Sequence, residues 1–335
     1  MLIVWLEFIA CAALIGFAGV RLSRYGDIIA EKSGLGAGVV GLVMLATVTS
    51  LPELVTGIGA VALAAAPDIA LGNILGACLL NLGMIVVLDL LYREQSVYTK
   101  AGQGHVLSAA FGLIILAFVT MNLVFASYEV HFAVGHVGLY SPVVLVLYFA
   151  AINIVYRYER RQLADYVQER AERYPGVSLR QALISYALAA AVVVSAALYL
   201  PFAATELAES MQWSGSFVGT LFVSLATTLP ELTVTAGALR IGAVDLAVGN
   251  LLGSNLFNLV ILAVDDLFYT PGPLLSAVSP IHVVSALSAM MMGGLAIVGL
   301  LYRPPDRVFG IVGWISLLML WVFVSNTVFL YVFGG

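Results

Sequence analysis

The chain carries one message twice, and both copies lie inside apolar runs. Residues 48–54 read V-T-S-L-P-E-L, and residues 226–232 read A-T-T-L-P-E-L. A second matched block follows each: D-I-A-L-G-N-I-L-G-A-C-L-L-N-L at 68–82, and D-L-A-V-G-N-L-L-G-S-N-L-F-N-L at 245–259. Each copy sets a proline and a glutamate in the middle of a hydrophobic stretch. A carboxylate at mid-bilayer costs roughly 2.5–3.5 kcal/mol even on lenient insertion scales, so an intramembrane acid marks a functional site by default. Two acids at equivalent places in a repeat point to one ion site assembled by two halves.

The surroundings of these blocks fix the class. The sequence is 62% hydrophobic and 10% charged, against about 25% charged in soluble domains. Continuous apolar runs recur, each long enough to cross a hydrocarbon core as a helix. Their continuity excludes a barrel, whose strands alternate. The pattern predicts an all-α polytopic membrane protein with ten transmembrane helices, at approximately 2–20, 35–65, 69–92, 101–124, 138–156, 180–200, 214–240, 243–268, 279–301 and 308–332. All 14 Lys and Arg residues then fall on one side. They group at Arg21, Arg24 and Lys32; Arg93 and Lys100; Arg157 through Arg180; Arg240; and Arg303 and Arg307. The opposite side carries Asp68, Glu129, Glu206 and Glu209. Positive charge marks the cytoplasmic face, so both termini are expected outside and the charged 157–179 loop inside. The start lacks a basic n-region, and the first run is expected to be a retained helix. Cys11 and Cys78 lie in apolar runs and read as free thiols, not as a disulfide or a metal site. No basic stripe suggests nucleic acid.

With this orientation, span 2 runs outward and its copy, span 7, runs inward. The halves are inverted five-helix repeats, 1–156 and 180–335, joined by the 157–179 linker, an arrangement used by transporters with a site at the repeat interface. Spans 2 and 7 are longer than a straight crossing needs, and Pro52 and Pro230 sit in their middles. An internal proline removes a helical hydrogen bond and clashes with the carbonyl four residues earlier, so both helices are expected to break there. Unsatisfied carbonyls in a membrane must line a cavity or bind something. Around each break stand oxygens: Thr49, Ser50 and Glu53 in one copy, Thr227, Thr228 and Glu231 in the other. The second blocks add amides. Asn81 and Asn258 lie eight residues beyond Asn73 and Asn250, a little over two turns, so each pair falls near one face. Asn73 and Asn250 read as interhelical hydrogen-bonding groups, and Ser254 lies one turn before Asn258. Asp89 and Asp266 near span ends, and Asp68 and Asp245 before spans 3 and 8, read as capping groups. An all-oxygen cluster with two carboxylates suits a hard cation such as calcium. Neither sulfur nor imidazole favours a softer metal, since Cys78 is expected to face helix packing.

At these residues the chain resembles the calcium/cation antiporter superfamily and, within it, the sodium/calcium exchangers. Their paired α-repeats look like T-S-L-P-E and G-S-N-x-x-N/D, in a fold of ten helices with inverted halves. The likeness covers both repeats and the ten-helix plan along the whole chain. It implies an antiporter exchanging Na+ for Ca2+ in the cell membrane by alternating access, with no cofactor and no obligatory protein partner beyond the bilayer. Residue by residue, it implies Glu53 and Glu231 as central calcium carboxylates. Thr49 and Thr227 would supply backbone or hydroxyl oxygens, with Ser50 and Thr228 at flanking sodium positions. Ala46 and Ser224 match places that use a backbone carbonyl. Asn81 and Asn258 would close the site, and Ser254 would be a further sodium ligand. Two residues depart from the pattern. Ala77 stands where the family usually has serine, and Asn258 where several prokaryotic members have aspartate. A proton-coupled exchanger, or one for Mg2+ or Mn2+, is the alternative of the same fold. An intramembrane enzyme lacks its nucleophile and its H-E-x-x-H-type motif.

Overall fold

The computed structural model describes residues 2–32, 48–92, 95–102, 104–163, 176–240, 244–304, 307–308 and 310–334. The apolar runs fold as helices, the form in which a segment satisfies its own backbone without water. In chain order they are α1 (Leu2–Lys32), α2 (Leu51–Ala62), α3 (Pro67–Leu91), α4 (Gly104–Ser127), α5 (Tyr140–Leu163), α6 (Leu179–Met211), α7 (Gly215–Thr227), α8 (Leu229–Arg240), α9 (Val244–Phe268), α10 (His282–Tyr302) and α11 (Trp314–Phe333). Eight of these are individually long and apolar enough to cross a membrane, and α7 with α8, bent by 50° at Thr228, makes a ninth. The short apolar α2 is the second half of expected span 2; residues 35–47 of that span lie outside the described residues. The described helices are consistent with ten spans. The charged loop after span 5 begins as a continuation of α5 to Leu163, and 164–175 lie outside the described residues. The strands among the described residues form one hairpin, Ala133–Val134 with Val137–Gly138, turned at Gly135 with φ of 63°.

Burial ranks the helices by role. In α3 and α9, 67% and 78% of the membrane-crossing window is buried, against 28–50% in the other six single spans. These two helices carry the second repeat blocks, and they meet at equivalent residues: Asn255 Nδ2 donates to the Cys78 carbonyl (3.3 Å), and Cys78 Sγ faces the Asn255 carbonyl at 4.0 Å. Small residues let the backbones close in, since packing without a hydrophobic driving force depends on close approach. A Cβ at Gly76 would lie 2.1 Å from the Thr220 carbonyl oxygen, and one at Gly72 would lie 2.9 Å from the Thr220 nitrogen. The facing stretch of α7, Gly219–Val223, is a π-helical turn, a local widening often found at functional sites. Helix α1 uses the same device against the other break, with Gly16 against Leu229 and Gly19 against Pro230.

Four aspartates tie the repeats together in equivalent pairs: Asp89 and Asp266 are buried, Asp68 is half-buried and Asp245 is exposed. Asp89, at the end of α3, accepts from Ser96 Oγ (3.0 Å), Val97 N (3.2 Å), Gly313 N (2.8 Å) and Ser316 Oγ (2.9 Å). It thereby caps the start of α11, which belongs to the other repeat. Asp266, its counterpart on α9, accepts from Gly138 N (2.9 Å), Leu274 N (2.8 Å), Tyr140 Oη and Ser141 Oγ, holding the start of α5. Asp68 and Asp245 sit within the first turns of α3 and α9, not before them. Their carboxylates reach outward: Asp68 to Ser279 N (2.7 Å) and His282 Nε2 (3.1 Å), Asp245 to Gly102 N (2.6 Å) and His105 Nε2 (3.2 Å). An acid in a first turn also complements the helix dipole.

Candidate ion-binding site

The two prolines decide the local backbone. Ser50 precedes α2 with φ −86° and ψ 12°, and Thr228 separates α7 from α8 with φ −79° and ψ 0°. Both lie in the sparsely populated bridge region. Equivalent residues thus hold nearly the same non-helical conformation, and Pro52 and Pro230 follow in the first turns of the next helices, where a missing N–H costs nothing. Each break turns its hydroxyl toward the opposite repeat. Ser50 Oγ donates to Glu231 Oε1 (2.9 Å), and Thr228 Oγ1 donates to Glu53 Oε1 (3.2 Å). The two glutamates are therefore cross-braced, each by the hydroxyl three residues before the other.

Both carboxylates are sealed: Glu53 is 1% exposed and Glu231 is 0% exposed. Each keeps one oxygen, Oε2, without a hydrogen-bond partner among the described residues. The same holds for both amide atoms of Asn81 and of Asn258, all of them buried. Thr49 and Ser254 approach Glu231, Ser254 without forming a well-shaped hydrogen bond, and Thr227 approaches Glu53. Thr227 Oγ1 itself donates to Asn73 Oδ1 (3.0 Å), whose Nδ2 faces the Glu53 carbonyl at 3.4 Å. Ser224 is buried beside the π turn. Its carbonyl accepts from Thr228 N (2.9 Å) and Thr227 Oγ1 (3.1 Å), so both lone pairs are taken in this conformation. Ala46, its counterpart, lies outside the described residues.

Two residues of α3 do more at the breaks than their sequence pattern conveys. Asn73 does make interhelical hydrogen bonds, but it makes them at the breaks, linking α3 to both carboxylate-bearing segments. Cys78 does not merely face packing: its thiol lies near the Asn258 amide and within electrostatic reach of Glu53. The signal for Cys78 was available, because its repeat counterpart is Asn255 of the G-S-N block. Asn250, the counterpart of Asn73, is buried with neither amide atom partnered among the described residues.

A buried pair of carboxylates braced only by neutral donors, with unpartnered oxygens around it, has the donor chemistry that suits a hard cation. Comparison with known proteins identifies the family. The sodium/calcium exchanger protein family matches residues 3–156 and 181–332. The chain belongs to that family. It is a multi-pass membrane protein of the calcium/cation antiporter superfamily, a family of exchangers and not of enzymes. Among its relatives, inner membrane protein YrbG of Escherichia coli is 26% identical over 77% of this chain and 78% of its own length. Sodium/calcium exchanger MaX1 of Methanosarcina acetivorans is 28% identical over 72% of this chain and 76% of its own. The solved sodium-calcium exchanger NCX_Mj superposes with a TM-score of 0.59 at 21% identity, over 98% of this chain and 99% of that one. Native YfkE gives a TM-score of 0.64 at 17% identity, over 99% and 92%. At these identities the structural likeness shows the fold.

Proposed function

We propose that the chain exchanges Na+ for Ca2+ across the cell membrane by alternating access, with Glu53 and Glu231 as the carboxylates that hold calcium. One observation carries this reading: two fully buried glutamates from inverted breaks share one cross-braced site and keep a free oxygen each. Two negative charges neutralise one divalent ion, and amides, hydroxyls and carbonyls complete the 6–8 oxygens that calcium prefers. The remaining ligand set is Thr49, Thr227, Ser50, Thr228, Asn81, Asn258 and Ser254, with Ser224 and Ala46 contributing backbone carbonyls once the breaks rearrange. The same ligands take sodium when calcium leaves. Calcium and sodium are the transported substrates, and no cofactor or protein partner enters the cycle. The repeats 1–156 and 180–335 rock about the site, the 157–179 linker is cytoplasmic, and both termini are outside. Arginine and lysine asymmetry supports that orientation.

A second reading has one observation in its favour. The first repeat offers Ala77 and Cys78 where the second offers Ser254 and Asn255, so its share of sodium ligands is smaller, as suits a proton-coupled or other divalent-cation exchanger. Radioactive calcium uptake into proteoliposomes, under imposed sodium, proton or potassium gradients one at a time, separates the two. Uptake driven by sodium and indifferent to potassium is expected, because amides and not carboxylates stand at Asn81 and Asn258. Uptake driven by protons alone would replace the first reading with the second.

A further inference from the structure

We propose that Asp265 forms a second, monovalent-cation site on the outer half of the protein, one helical turn beyond Glu53, and that sodium is its occupant. The proposal rests on the antiport reading and its orientation. Asp265 is 0% exposed, and neither carboxylate oxygen has a hydrogen-bond partner among the described residues. Its sequence neighbour Asp266 accepts from four donors, and Asp89, Asp68 and Asp245 are all engaged as described above. Asp265 is therefore unlike the other aspartates of the spans. A buried carboxylate without donors or a basic partner must either keep a proton or have a positive charge beside it, and the second is the state proposed.

The surroundings say what kind. The Asp265 carboxylate lies on the backbone of α2 at Gly57. A Cβ there would fall 2.2 Å from Oδ2 and 2.6 Å from Oδ1, so the acid requires that glycine. Gly57 follows Glu53 by one turn, about 6 Å along the helix, in the direction of the 63–66 loop. Next to it, Thr56 is 0% exposed and its hydroxyl has no partner among the described residues. One carboxylate and one hydroxyl carry a single negative charge. A hard monovalent ion balances it, whereas a divalent ion would need a second acid. No group of three or more His, Cys, Asp or Glu that could hold a metal occurs among the described residues. The inner half lacks the arrangement: the positions equivalent to Asp265 and Gly57 are Leu88 and Thr235. The carboxylate is thus an addition to one side of the fold, not a product of its internal symmetry. It packs against the helix that carries Glu53, and would hold sodium on the outer side of the central site.

The test compares the two faces. Sodium-dependent calcium flux is measured in right-side-out and inside-out membrane vesicles for wild type, Asp265→Asn and Gly57→Ala. Asparagine keeps the shape and removes the charge; Gly57→Ala keeps the charge and displaces it. Both variants are expected to raise the half-maximal sodium concentration at the outer face several-fold, with inner-face sodium dependence and calcium affinity unchanged. An unchanged sodium dependence in folded Asp265→Asn would mean a buried neutral acid and would overturn the site. An equal shift at both faces, or an equal loss of calcium affinity, would mean a general packing effect and would overturn it too. If Asp265→Asn does not fold, Gly57→Ala carries the same outcomes. Glu53→Gln in parallel vesicles tests the central reading separately, since calcium flux that survives it sinks that reading whatever Asp265 does.

Discussion

The two half-sites agree where the charge is and differ where the neutral ligands are. At the breaks, symmetry is kept almost atom for atom: Ser50 braces Glu231, Thr228 braces Glu53, and the two bracing residues share one backbone conformation. One helix later it lapses. The second repeat offers Ser254 and Asn255, the first Ala77 and Cys78. A divalent ion shared by two halves needs both charges, which accounts for the kept part. Monovalent ions can occupy the halves separately, so loss of a neutral ligand from one half weakens one site without dismantling the shared one.

The largest effect is expected at the shared charges. Glu53→Gln and Glu231→Gln should each abolish calcium transport without loss of folding. At about 4 Å and an effective dielectric of about 20, a unit charge contributes about 4 kcal/mol, roughly a thousandfold in affinity. Equal loss in the two purified variants supports a shared site. Substantial uptake by either would remove that glutamate from it and break the comparison at its strongest point.

Next come the aspartate staples, where symmetry concerns folding instead of transport. Asp89→Ala and Asp266→Ala each orphan four donors, two of them backbone N–H groups. Leaving buried donors unsatisfied costs about 1–3 kcal/mol each, so a marked and similar fall in thermal midpoint in detergent is expected for both. A drop in one only would mean that the repeats are not held by equivalent clasps.

Smaller still are the cross-braces. Ser50→Ala and Thr228→Ala each remove one hydroxyl donor from a carboxylate, about 1.5–3 kcal/mol for a hydrogen bond to a charged group. Calcium binding measured on the purified variants should weaken about ten- to a hundredfold in each. Thr228→Ser should restore it, because only the hydroxyl is required. A wide disparity between the two variants would show that the breaks, alike in geometry, are unlike in use.

What the sequence made legible follows from the physics of each signal. Spans, breaks and the repeat are properties of a continuous chain: twenty apolar residues, a proline inside them, a block said twice. The glutamates were legible because an acid in a membrane has few other reasons to be there. The aspartate network was only half legible. Asp68, Asp89, Asp245 and Asp266 were recognisable as cap-type residues near helix ends. That each acts on an element of the opposite repeat depends on tertiary placement, which no local pattern encodes. His105 and His282 occupy equivalent repeat positions and each meets an aspartate from the other half, a pairing that spacing along the chain does not show. Asp265 is not legible in the sequence because its partner in the packing is a glycine, a residue that makes room and leaves no chemical trace.

The finest test concerns Ala77. Ser254, its counterpart, is buried near Glu231 with its hydroxyl unpartnered among the described residues. Ala77 is equally buried and offers a methyl group. A hydroxyl can ligate sodium and a methyl cannot, so the half-site around Ala77 should hold sodium more weakly. Ala77→Ser is therefore expected to raise apparent sodium affinity, by about 1 kcal/mol if a well-placed ligand resembles a net hydrogen bond, or several-fold. Calcium affinity should stay nearly constant, because Glu53 and Glu231 dominate it. Ser254→Ala should weaken sodium further by a similar factor. The added hydroxyl must fit between α3 and its neighbours, which makes the thermal midpoint of Ala77→Ser a necessary control. Sodium dependence at fixed calcium would be measured for wild type and both variants. If neither shifts, these positions do not touch sodium, and the asymmetry between the half-sites lies in packing and not in ion choice.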